Sequence, residues 1–119
     1  MTRKTLAAAL NVAWVVAKAD GMDDKEWNVV FKELRSFRLS DEDLHAVIEE
    51  FKLMDPIDAI NILRSSDEAT QKEAQALTFV TIGADGEISN KELGALSVIA
   101  NLCSFKKMTV EEAHKILGF

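Results

Sequence analysis

The chain has 119 residues, 48% of them hydrophobic and 29% charged. It is long enough to bury one core and too apolar to stay disordered. Its net charge of −6 and isoelectric point near 4.9 oppose a phosphate backbone and suit cations or basic protein surfaces, so nucleic acid is not an expected partner. The single cysteine, Cys103, excludes an intrachain disulfide and a cysteine-based zinc cluster.

One proline, five glycines and almost no β-branched alternation give an all-α reading: a compact bundle of seven helices, one domain over residues 1–119. The first predicted helix runs from Thr5 to Lys18, with Leu6, Leu10, Ala13, Trp14 and Ala17 on its core face. Thr2-Arg3-Lys4, the apolar run Leu6 to Val16 and Ala17-Lys18-Ala19 also have the outline of a secretory signal with an A-x-A site. A counterpart of this stretch recurs inside the chain, and cleavage would remove a helix that the other half keeps. The expectation is therefore a retained helix and a cytoplasmic protein. Asn11 and Lys18 interrupt the run, which is too short to span a membrane.

Asp20-Gly21 ends this helix, glycine allowing the tight turn. Asp23 with Glu26 three residues on has the form of a capping box and opens a second helix, with Trp27, Val30, Phe31, Leu34 and Phe37 inward. Ser40-x-x-Asp43 opens a third, carrying Leu44, Val47, Ile48 and Phe51. Asp55-Pro56 stops it and starts a short fourth helix ending near Arg64. Ser66-Asp67 caps a fifth from Glu68 to Gly83, with Ala74, Leu77 and Val80 inward. Ser89-x-x-Glu92 opens a sixth, with Leu93, Leu96, Ala100 and Cys103 inward. Thr109-x-x-Glu112 opens a seventh, with Ala113, Ile116 and Leu117 inward and Gly118 as its stop.

The order of these signals repeats. Ala19-Asp20-Gly21 before Asp23-Asp24-Lys25-Glu26 matches Ala84-Asp85-Gly86 before Ser89-Asn90-Lys91-Glu92. Trp14 pairs with Phe79, Trp27 with Leu93, Ser40 with Thr109 and His45 with His114. Helices one to three and five to seven read as one three-helix unit present twice, the fourth helix connecting them. The copies differ by one residue: Met22 alone separates the first Asp-Gly from its cap, where Glu87-Ile88 stand in the second.

Each hinge concentrates carboxylates: Asp20, Asp23, Asp24 and Glu26 in the first copy, Asp85, Glu87 and Glu92 in the second. Hard divalent cations take several oxygen ligands, and acidic turns at helix starts supply them. These seven residues are the candidate metal ligands. Asp85 to Glu92 even reads like the back half of an EF-hand loop, but Thr81 and Gly83 stand where its first carboxylates belong, so an EF-hand is rejected. Capping alone explains Asp23, Glu26, Ser89 and Glu92, and Asp20 and Asp85 suit turns that bond backbone amides. It does not explain why an identical Ala-Asp-Gly precedes both caps.

That doubled motif resembles the tellurite-resistance TerB-like family, which includes the related domain of membrane-anchored DnaJ-like co-chaperones. The resemblance spans nearly the whole chain and implies an all-helical fold of about seven helices with two acidic motifs facing each other. By resemblance, Asp20, Gly21 and Glu26 match the first motif, and Asp85, Gly86 and Glu92 the second. It implies a divalent-cation site (calcium, magnesium or manganese) in a stress-linked, membrane-associated assembly with a protein partner, rather than a defined reaction. The first copy lacks the aliphatic residue that Ile88 supplies in the second.

Enzyme chemistry is the competing class. The clustered carboxylates suit a two-metal hydrolase, yet no serine or cysteine has a histidine at a telling spacing and no glycine-rich phosphate loop is present. A zinc role for His45 and His114 would need carboxylates such as Asp41 or Glu111 beside them. A plain interaction domain without metal is the third reading.

Overall fold

The computed structural model describes residues 2–19, 39–83 and 88–117. Among them are six α-helices: α1 (Arg3–Lys18), α2 (Asp41–Leu53), α3 (Pro56–Arg64), α4 (Glu68–Ile82), α5 (Asn90–Cys103) and α6 (Val110–Leu117). The all-α expectation holds for these residues. The expected helix from Asp23 to Phe37 and the Gly118 stop lie outside the described residues, so six of the seven expected helices are seen.

Every one of the six starts on a side chain that accepts from an early backbone amide, satisfying a donor that the helix itself leaves open. Thr2 Oγ1 accepts from Thr5 N at 3.1 Å, Ser40 Oγ from Asp43 N at 3.1 Å and Thr109 Oγ1 from Glu112 N at 3.2 Å. Asp55 accepts from Ile57 N at 2.8 Å, with Pro56 in the first turn. Asp67 accepts from Thr70 N at 2.8 Å, and the amide and hydroxyl of Thr70 together hold the Asp67 carboxyl below the usual carboxylate range.

The core is built on α1, which packs against α2, α3, α4 and α5. Leu6 to Ala13, Val16 and Ala17 are all buried. The sequence pattern predicts a single inward stripe; in the fold, neighbours surround the helix, and its alanines let them approach closely. The stretch with the outline of a secretory signal is thus the central core helix. Trp14 is only partly buried, meeting Phe51 of α2 edge to face at 6.2 Å and 81°, with Lys18 Nζ 4.3 Å above its ring. Asn11 donates to Met54 O at 2.7 Å and ties α1 to the turn between α2 and α3.

The second core helix is α4, which packs on α1 and α6. Its buried run is Ala74 to Phe79, then Thr81 and Ile82. The buried hydroxyls of Thr78 and Thr81 bond back to Ala74 O and Leu77 O at 3.1 and 2.7 Å, so burial leaves neither unpaired. On α5 the inward residues are Leu96, Ile99 and Cys103. Leu93 and Ile116, expected inside, are 46% and 40% exposed because they lie beside grooves or ends rather than between packed helices. No helix among the described residues is long and apolar enough to cross a membrane. The radius of gyration, 12.8 Å, is close to the roughly 13 Å of one compact unit of about 100 residues.

Candidate functional site

Of the seven predicted metal ligands, Asp20, Asp23, Asp24, Glu26, Asp85 and Glu87 lie outside the described residues. Glu92 lies within them, at the start of α5. It is 3% exposed, and the local sequence explains why a carboxylate is tolerated there. Ser89 Oγ accepts from Glu92 N at 3.1 Å and Glu92 Oε1 accepts from Ser89 N at 3.1 Å, a reciprocal capping box. The negative side chain also faces the positive end of the α5 dipole. One carboxylate oxygen is therefore committed to the backbone.

The residues flanking the second hinge lie close together. Gly83 closes α4 by donating to Phe79 O at 3.0 Å. A Cβ on Gly83 would stand 3.2 Å from Phe79 O and 3.9 Å from the Ile88 side chain, so a larger residue would crowd the end of α4. Ile88 occupies the position before the cap and packs against the core. Leu39 before Ser40 and Met108 before Thr109 do the same at α2 and α6. Thr81 is helical and bonded to its own helix, consistent with rejecting an EF-hand.

His45 and His114 are both exposed, on α2 and α6. Among the described residues no three His, Cys, Asp or Glu side chains come together in a metal-ligating group. Cys103 is buried, and burial pushes its thiol up to about 11, away from nucleophile chemistry.

Two features escaped the sequence reading. Gln71 Nε2 donates to Leu63 O at 3.0 Å, with longer contacts to Arg64 O and Cys103 O at 3.3 and 3.4 Å, so one amide serves the ends of α3 and α5. Leu53 and Ile57 are 87% and 69% exposed on either side of the Asp55-Pro56 turn. The signal for them was in the sequence. Each lies two residues, about 200° of helix, from a core position, Phe51 and Ala59.

No family model matches the chain, and no curated protein matches it. Solved structures do. One is the crystal structure of a protein of unknown function from Porphyromonas gingivalis W83, 23% identical over all of this chain and 91% of that one, with a TM-score of 0.83. At that identity the likeness establishes a shared fold.

Proposed function

We propose that the chain is a non-enzymatic binding or scaffold domain of the TerB-like type, with two copies of a three-helix unit that bring paired acidic hinges together for a divalent cation or a basic partner. The observation that carries this reading is the buried Glu92, held in a capping box that Glu87-Ile88 separate from the Asp85-Gly86 step. In the first copy the corresponding cap signals are Asp23 and Glu26, one residue closer to their Asp20-Gly21 step. The duplication draws further support from packing: α1 lies against α2, α4 lies against α6, and Ser40 and Thr109 cap α2 and α6 in the same way. Calcium, magnesium or manganese suits an all-oxygen ligand set. A cytoplasmic, stress-linked role beside a membrane-associated complex, with tellurite resistance as one instance, comes with the family resemblance.

Calorimetric titration of calcium, magnesium, manganese and zinc into the wild type and an Asp20→Ala/Asp85→Ala variant tests it. Heat from the wild type that disappears in the variant is the expected result. Equal heats from both proteins, or none from the wild type with any ion, would remove the cation from the reading. Turnover of a phosphoester or amide substrate by the metal-loaded protein would favour the hydrolase instead.

A further inference from the structure

We infer that the groove between α5 and α6 takes an extended peptide segment of a partner protein, apolar at alternate residues and acidic at one end, a site independent of the proposed cation. α5 and α6 both meet α4 but scarcely each other, which leaves a groove of about 500 Å³ with Gln75 of α4 among its lining residues. Clefts that hold ligands span about 300–1,000 Å³ and are mostly apolar with a few placed polar groups. Leu93, Leu96, Phe105 and Met108 supply the apolar wall here, and Leu93 is 46% exposed.

Packing alone does not account for Gln75. It is 5% exposed, and its side chain has no hydrogen-bond partner among the described residues. Asn11 Oδ1 is the one side-chain polar atom among them that is both enclosed and without a partner. The Gln75 carboxamide therefore opens onto the groove rather than into the core. A ligand that covers it must supply an acceptor for its N–H groups and a donor for its oxygen, or leave a buried polar group unpaired. A fatty-acid carboxylate has no donor, and a helix already commits its backbone groups to itself. An extended peptide presents N–H and C=O side by side, and its alternate side chains fall on one face, toward the leucines. Charge sets the direction. Lys106 is held by Glu68 at 2.9 Å, whereas Lys107 has no ion-pair partner among the described residues. One carboxylate, Glu112, also lines the groove, so a single acidic residue near Lys107 is favoured over an acidic run.

The full chain is titrated into a fluorescein-labelled peptide of alternating leucine and serine with aspartate at one end, too short to hold a helix in water. Saturable binding is expected. A copy methylated on its backbone nitrogens keeps the side chains and loses the donors, and should bind about tenfold more weakly. Gln75→Leu should weaken the parent peptide by a similar factor while moving the urea midpoint upward, because an apolar group of similar size leaves no amide without a partner. Lys107→Glu, an exposed position, should reverse the preference for the aspartate peptide over a lysine counterpart. No saturable binding of the parent peptide, or equal affinity for the methylated copy, would overturn the groove. A lowered midpoint with unchanged affinity in Gln75→Leu would make that amide a structural one. Displacement of the peptide by equimolar decanoate or adenosine monophosphate would assign the groove to a small anion instead.

Discussion

Ser104 sits at φ 60° and ψ 35°, in the left-handed region, and is the one non-glycine residue there among those described. The reason is the way α5 ends. Phe105 N reaches back to Ala100 O at 2.8 Å and Ser104 N to Asn101 O at 3.3 Å, the paired bonds of a Schellman motif, whose turning residue is usually glycine. A Cβ in this conformation costs about 1 kcal/mol or more, and replacing it with glycine returns part of that against greater freedom of the unfolded chain. Ser104→Gly should therefore raise stability by about 0.5–1 kcal/mol. The measurement is a urea midpoint moved upward with an unchanged slope; a lower midpoint would mean that the serine side chain holds the turn through contacts of its own.

Helix starts were legible because each is encoded in four or five adjacent residues. Ser40-x-x-Asp43, Asp55-Pro56, Ser89-x-x-Glu92 and Thr109-x-x-Glu112 all cap where the pattern put them. Burial was legible only in part. The apolar spacing of α1 marks a core helix but does not count its neighbours, so the burial of Asn11 and Val12 could not be read. The hinge residues on which the proposed cation site rests lie outside the described residues, apart from Glu92. Gln71 was invisible for a different reason: its partners are the ends of two helices that meet only in the fold. Gln71→Ala should cost about 1–2 kcal/mol, since it deprives partly buried carbonyls of a donor. Gln71→Glu should cost more at neutral pH, because an acceptor then faces acceptors, and should recover toward the alanine value as acid protonates it. Urea unfolding of the three proteins at neutral and acid pH measures both; equal stabilities would place water rather than Gln71 on those carbonyls.

The molecule as a whole is reported by its one thiol. Cys103 ends α5 inside the core to which α1, α3 and α4 also contribute, and only opening of that core brings it to solvent. Burial raises its pKa from an ordinary 9.0 to about 11. Between those values the unfolded chain releases the proton while the folded chain keeps it, so the unfolded state binds fewer protons and stability falls as pH rises. The slope is at most about 1.4 kcal/mol per pH unit inside that window, with no contribution below it. The chain contains no tyrosine, which leaves lysines as the main other side chains titrating there. Cys103→Ala should be less stable by about 1–2 kcal/mol at neutral pH through the cavity it leaves. Its deficit should then shrink across the alkaline window as the wild type loses the advantage of its neutral thiol. Urea curves of both proteins at several alkaline pH values provide the comparison. If the curves stay parallel, the thiol ionises equally in both states, and α5 must open independently of the α1–α4 core.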